Sequence, residues 1–245
     1  VWKGTWLGKD VAIRSYPKAT MSMEVMDLLS KMAKLRHPNI ALFMGAGIDD
    51  LDRLSILTEW VPTGSLQNSP SLSVQTIFQV AKGISVGCAY LQKQGFSHNN
   101  LKPGNVLIDS LMDVKLCDYF AKEFALLWHP FPMCCSAPRF LAPESLRSDP
   151  FVPYGVEPAS DIYSFGVILS DLTDPSTARR KLSLAQIRVL VGFAGYREEP
   201  RGKRTLSKLI HRCREQDPLN RTSFDRLVAA LNTMQSTANS VAEDA

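Results

Sequence analysis

Residues 96–109, FSHNNLKPGNVLID, set His98, Asn99, Asn100, Lys102 and Asn105 in a short polar loop that runs into an apolar stretch. A histidine, a lysine and an asparagine leading into a strand have the makings of a catalytic loop. Moving a proton at neutral pH calls for a carboxylate, an imidazole or a comparable base at hydrogen-bond reach of the reacting group. At the centre of this loop Asn100 presents an amide, which accepts no proton in that range. The stretch therefore reads either as a catalytic loop without its base or as an unrelated polar turn. The elements around it decide between the two.

The first third of the chain reads as strands and one helix. VWKGTWLGKDVAIRSY alternates around a turn at Gly8, Lys9 and Asp10, which predicts a hairpin. Residues 21–35 place Met21, Val25, Leu28, Leu29, Met32 and Leu35 at helical spacing. NIALFMGAGI and LSILTEWV read as two further strands, and Pro62, Thr63 and Gly64 close this sheet-rich part. SVQTIFQVAKGISVGCAYLQKQG predicts a long amphipathic helix ended by Gly95. VLID and VKLCD are short strands flanking a turn at residues 109–113. Residues 128–158 are Pro-rich and read as irregular. ASDIYSFGVILSDL, SLAQIRVLVGF, LSKLIHRCREQ and SFDRLVAALNTMQ are helical in period, and the small, polar residues 235–245 are expected to fray. No internal repeat or low-complexity block interrupts the pattern.

The chain has 245 residues, enough for one large domain or two lobes sharing an interface. Hydrophobic residues make up 45% and charged residues 21%, which supports a packed core and argues against bulk disorder. A net charge of +4 is too mild to indicate nucleic acid or a membrane surface. Five cysteines, an odd number with no C-x-x-C, suggest free thiols in a reducing, cytoplasmic setting. No apolar run approaches the ~18 residues a membrane span requires, and no signal peptide is read. The chain opens on Val1 rather than Met, as a fragment of a longer protein would.

A sheet-rich part, a hinge and a larger helical part is the order of a protein kinase, and the local motifs fall in the matching sequence. VAIR resembles the third-strand V-A-I-K, HNNLKPGN the H-R-D-L-K-P-x-N loop, and DYF the D-F-G turn. LAPE resembles A-P-E, SDIYSFGVIL the D-x-x-S-F-G helix, and DPLNRTSFD the D-P-x-x-R-P pair near the end. The resemblance covers nearly the whole chain. It implies an α+β, bilobal protein kinase-like fold: an N-lobe over residues 1–61, a C-lobe over 62–234, and the tail 235–245. LKPGN resembles the serine/threonine type. RHPNIALFMGAG, LTEWVPTGSL and the arginine of VAIR resemble the tyrosine-kinase-like branch that holds Raf and kinase suppressor of Ras.

Carried over residue by residue, the resemblance assigns ATP to a cleft lined by Val1, Ala12, Thr58, Glu59 and Leu107, with Arg14 at the phosphates. It assigns Mg²⁺ to Asn105 and Asp118, and the catalytic loop to Asn100 and Lys102. The departures matter as much. The family's catalytic aspartate falls on Asn100, and loss of a positioned base costs roughly 100- to 10,000-fold. The phosphate lysine is Arg14, a longer planar fork. Its helix glutamate falls on Leu28; Asp27 points about 100° away from that face, and Glu24 lies one turn off. Tyr119 and Phe120 replace the Phe and Gly of D-F-G, which stiffens that turn. The glycine-rich loop would lie before Val1. Ala137 replaces a threonine and Asn99 the arginine that greets a phosphorylated loop, so switching by loop phosphorylation is not expected. Cys134 and Cys135 read as incidental thiols.

The frame reads as intact. Met32, Phe43, His98 and Tyr119 match the apolar spine linking the lobes, with Asp161 as its anchor. Val1, Ala12 and Leu107 match a second spine that adenine completes. Glu144 and Arg221 match a buried ion pair. Residues 66–74 are too few for the helix the family carries there. The basic residues of 179–214 read as a solvated face. A frame without its base, lysine and glutamate implies a pseudokinase: a scaffold or allosteric partner of an active protein kinase or of its substrate, with weak ATP binding. Arg36 matches an arginine that Raf-like kinases use at a side-to-side kinase-domain dimer. An active but slow serine/threonine protein kinase is the alternative reading.

Overall fold

The computed structural model describes residues 1–16, 22–50, 52–120, 137–147, 158–178, 182–197 and 204–243. Strands β1 (Trp2–Trp6) and β2 (Lys9–Tyr16) form the expected hairpin. Its turn lies one step earlier than the sequence suggests, at Leu7 and Gly8, because Lys9 is already paired with Trp6. Both turn residues have positive φ, 48° and 74°, which matches the right-handed twist of the flanking strands. Strands β3 (Phe43–Ile48) and β4 (Leu54–Glu59) complete a four-stranded sheet of order β1-β2-β4-β3, antiparallel throughout. Helix α1 (Met23–Lys34) starts where the Ser22 hydroxyl accepts from the Val25 N–H and buries Val25, Leu29 and Met32.

The larger part is helical. Helix α2 (Val74–Lys93) is capped by Ser73 and ends as Gly95 takes φ of 81°. Strands β5 (Val106–Ile108) and β6 (Val114–Leu116) pair as a small hairpin beneath it. A Cβ on Gly83 would come within 2.7 Å of the Val114 Cβ, so glycine there lets α2 lie directly on β6. Within the stretch expected to be irregular, residues 138–140 form a 3₁₀ turn and α3 (Pro143–Arg147) a short helix. Cys134, Cys135 and Ser136 lie outside the described residues.

Helix α4 (Pro158–Thr173) is buried on nearly every face, including Asp161, as a core helix should be. After the short α5 (Pro175–Ala178), the run SLAQIRVLVGF divides into α6 (Leu184–Ile187) and a π-helix, Arg188–Phe193. Helices α7 (Arg204–Cys213) and α8 (Phe224–Glu243) follow. The backbone of α8 runs helically through residues expected to fray. Residues 66–68 make only a 3₁₀ turn ahead of α2.

One hydrophobic cluster runs from Val25, Leu29 and Leu54 of the small lobe through Leu116 and Tyr119 to Ile168 and Phe224 of the large one. The lobes are therefore joined by a common core at the level of β6. Among the described residues no helix is long and apolar enough to cross a membrane.

Candidate active site

The loop after α2 is held by its own backbone. Both oxygens of the buried Asp161 accept from it: Oδ2 from the His98 N–H at 2.6 Å and Oδ1 from the Asn99 N–H at 2.8 Å. Asn99 takes φ of 57°, a conformation that Asn tolerates better than most residues. The Asn100 N–H donates to His98 Nδ1 at 3.3 Å. Burial pushes the His98 imidazole down to about 4, so it remains a neutral acceptor at pH 7. Asn105 is buried, and its Nδ2 donates to the Asn100 carbonyl at 2.7 Å. The Cys117 N–H donates to the Asn105 carbonyl at 3.0 Å, which sets Asn105 beside the residue preceding Asp118. The amide orientation leaves Asn105 Oδ1 as its metal-capable atom.

Arg14 and Asp118, which lie 104 positions apart, form a direct ion pair. Asp118 has φ of 61°. Burial raises its carboxyl above the usual carboxylate range, and the charges of Arg14 and Lys102 oppose that rise. Arg14 Nε is buried and meets no acceptor among the described residues. On α1, Leu28 packs against the core, while Glu24 and Asp27 are exposed and Asp27 pairs with Lys31 at 2.6 Å. The guanidinium that would meet a helix carboxylate has turned to Asp118 instead.

At the other end of the cleft, Ala12 stands opposite Thr58 across β2 and β4, and Phe43 opposite Thr58 across β3 and β4. Leu107 bridges to Ser65, and the Ile108 N–H donates to the Gly64 carbonyl at 3.0 Å. These contacts pair Ala12 with Thr58 and tie Leu107 to the strand-to-helix connection. Val1 is 71% exposed. The Glu59 carboxylate accepts from the Leu42 N–H at 2.8 Å and from Lys115 Nζ at 3.0 Å. Glu59 thus ties the small sheet to β6 through its side chain, a role its place in the sequence did not signal.

The element order, the interlobe core and the loop anchored on Asp161 match a kinase fold, and the comparison with known families agrees. The family described as protein tyrosine and serine/threonine kinase matches residues 1–231. The chain belongs to the protein kinase superfamily. Within it, the chain falls in the tyrosine-kinase-like branch. It is 32% identical over 250 residues to the serine/threonine-protein kinase CTR1 of Arabidopsis thaliana, covering 96% of this chain and 30% of that protein. To the serine/threonine/tyrosine-protein kinase HT1 of the same plant it is 27% identical over 247 residues, 94% of this chain and 62% of HT1. The dual specificity protein kinase shkC of Dictyostelium discoideum is 28% identical over 249 residues, with 95% and 48% covered. The chain thus spans about a third to two thirds of these relatives.

As a kinase fold, the molecule sorts its expected residues into frame and cleft. Met32 and Tyr119 are buried in the common core with Phe43 packed against it, and Asp161 holds the backbone on both sides of His98. Arg221 meets Glu144 in a two-pronged pair, 2.7 Å at each prong, with no exposed side-chain surface on Arg221. Its remaining donors reach the Ala159 and Glu215 carbonyls, and its guanidinium lies 5.2 Å from the Tyr163 ring. Sequence reasoning missed the Arg14–Asp118 pair, although an arginine with no helix carboxylate to meet was its signal. It also missed the Tyr119 hydroxyl, which donates to the Ala41 carbonyl at 3.1 Å. Asn105 and Asp118 offer hard oxygen donors that suit Mg²⁺, and Arg14 offers a cation for phosphate, so the residues fit a nucleotide whose charge balance is altered.

Proposed function

We propose that this chain is a pseudokinase domain, a signalling scaffold or allosteric partner of an active protein kinase, with weak ATP binding. The observation that carries the reading is that the phosphate cation and the metal carboxylate, Arg14 and Asp118, are closed on each other. Asn100 adds a second deficit, since no carboxylate stands at the base position. A bound nucleotide would lie along Ala12, Thr58 and Leu107, with its phosphates toward Arg14. Mg²⁺, held by Asn105 Oδ1 and Asp118, would supply countercharge to those phosphates. To admit either group, Arg14 and Asp118 have to exchange partners, which weakens binding and leaves Mg²⁺ a small net effect. The relatives named as protein kinases, together with the retained Asn105 and Asp118, support a second reading, a slow serine/threonine kinase.

Thermal shift with ATP, with and without Mg²⁺, alongside a phosphate-transfer assay separates the two. The scaffold reading expects a small shift, little Mg²⁺ dependence and transfer at background. Tight, strictly Mg²⁺-dependent binding with steady transfer to protein hydroxyls would favour the enzyme.

A further inference from the structure

Three serines follow a lysine or arginine by three positions: Ser85 after Lys82, Ser183 after Arg180 and Ser207 after Arg204. Ser183 has the fullest pattern. Arg179, Arg180 and Lys181 precede Leu182 and the hydroxyl, and the apolar Leu184 follows it. A serine kinase with carboxylates in its peptide groove reads such a pattern, because cations at fixed steps before the hydroxyl form charge-assisted pairs with them. Arg179, Arg180 and Lys181 lie outside the described residues. What a groove reads in them is their order along an extended peptide.

The fold separates the three serines. A hydroxyl enters a second enzyme's cleft only where it is exposed and its backbone can lie extended. Ser85 is fully buried in α2, and its Oγ donates to the Ala81 carbonyl at 2.8 Å. Ser207 lies within α7, half-buried, between the buried Leu206 and Leu209. Presenting it would draw both leucines from the core. Ser183 is exposed, and at φ −69° and ψ 161° its backbone is already extended. Leu184 is 47% exposed, and Ala185 and Gln186 are exposed beside it. What holds Ser183 is local. Its Oγ accepts from the Gln186 N–H at 3.2 Å, its N–H donates to Gln186 Oε1 at 2.9 Å, and its carbonyl accepts from the Ile187 N–H at 2.9 Å. All of these bonds lie within residues 183–187, so releasing the serine opens one turn and leaves the core in place.

We propose that Ser183 is a phosphorylation site for a cation-selecting serine kinase. In the transfer, Ser183 Oγ bonds to the γ-phosphorus of ATP. The bond from that phosphorus to the β–γ bridging oxygen breaks, and ADP leaves with the electron pair. The hydroxyl proton passes to the catalytic carboxylate of the acting kinase. The product places roughly −1.5 to −2 charge at neutral pH on a turn that follows three cations in sequence. The assignment is independent of the scaffold reading, because the transfer belongs to the second kinase and not to this cleft.

The test treats the intact chain with MgATP and the catalytic subunit of cAMP-dependent protein kinase, a probe that selects such cations. Mass spectrometry locates the phosphate, against reactions without the added kinase, and a peptide of residues 177–189 runs alongside. Peptide and intact chain should both take phosphate at Ser183, with Ser207 of the intact chain slower by roughly tenfold or more. Ser183→Asn keeps a side-chain oxygen able to cap α6 and lacks the hydroxyl. It should lose the incorporation while melting with wild type. Arg180→Ala should slow the transfer by roughly tenfold or more, as loss of a charge-assisted pair does. A peptide that takes no phosphate overturns the proposal, as does an intact chain that takes none at Ser183 while the peptide does. So do Ser207 labelled as fast as Ser183, a Ser183→Asn chain that incorporates as wild type does, or an Arg180→Ala chain with the wild-type rate.

Discussion

Replacing Arg14 by methionine removes the cation from Asp118 while keeping a long apolar stem. Breaking a fully buried ion pair from one side costs about 3–5 kcal/mol, because the other charge is left unpaired. Here the Arg14 side chain is 35% exposed and that of Asp118 14%. Solvent screening therefore lowers the expected cost to roughly 1–3 kcal/mol. For a domain of this size, that is a fall in melting temperature of roughly 2–12 °C. The same substitution opens Asp118 to a competing cation. Mg²⁺ that binds only the folded state, at a hundred times its Kd, returns about 2.7 kcal/mol. Thermal melts at pH 7.5 of wild type and Arg14→Met, each with and without millimolar Mg²⁺ and no nucleotide, make the comparison. The expected result is a lower melting temperature for the variant that Mg²⁺ largely restores, with the wild type barely responding to the metal. If both proteins respond to Mg²⁺ equally, or if the variant melts with wild type, Arg14 is not what closes the metal site.

Arg221→Ala should destabilise by about 3–5 kcal/mol, since it strands Glu144 and removes donors to the Ala159 and Glu215 carbonyls. Arg226→Ala on the exposed face of α8 should stay within about 0.5 kcal/mol, and equal urea midpoints would contradict the pair's importance. Asn100→Asp alone should leave phosphate transfer near background, because parts of a catalytic unit do not repair additively. Combining it with Arg14→Lys and Leu28→Glu has the better prospect in a transfer assay; robust activity in the single variant would refute the scaffold reading. Burial holds the His98 imidazole down at about 4, whereas the unfolded chain titrates near ~6.5. The stability this contributes is complete above pH 6.5 and is lost as pH falls through about 4, since the unfolded state binds the extra proton. Denaturant titrations between pH 6.5 and 5 should therefore show falling stability in wild type and a flatter profile in His98→Phe.

Element types were legible where a periodic pattern is long or a turn residue is explicit. The sheet, α1, α2, β5 and β6 follow from alternation, from apolar residues at helical spacing and from Gly95. The π-helix at Arg188–Phe193 was not legible, because its apolar spacing is also that of an α-helix. Nor were α3 and the 3₁₀ turn before it, since short helices among prolines gain their stability from packing, not propensity. The Glu144–Arg221 pair was legible because its motifs carry it, and its two-pronged geometry supplied the strength.

What the sequence determines by itself is chemical inventory. Asn100 can be no base, Leu28 can offer no charge, and Asn105 and Asp118 can donate oxygen, whatever the fold does with them. Where each charge goes is a tertiary matter. Arg14 and Asp118 are 104 residues apart, and no local period relates a residue on β2 to one after β6. They meet because the common core brings those strands together. They pair because a buried carboxylate and a guanidinium without a helix partner have no better way to satisfy each other's charge. The Tyr119 hydroxyl and the Glu59 carboxylate were settled in the same way. A polar group that folding removes from water takes the nearest acceptor or donor, and only the packed structure determines which one is nearest.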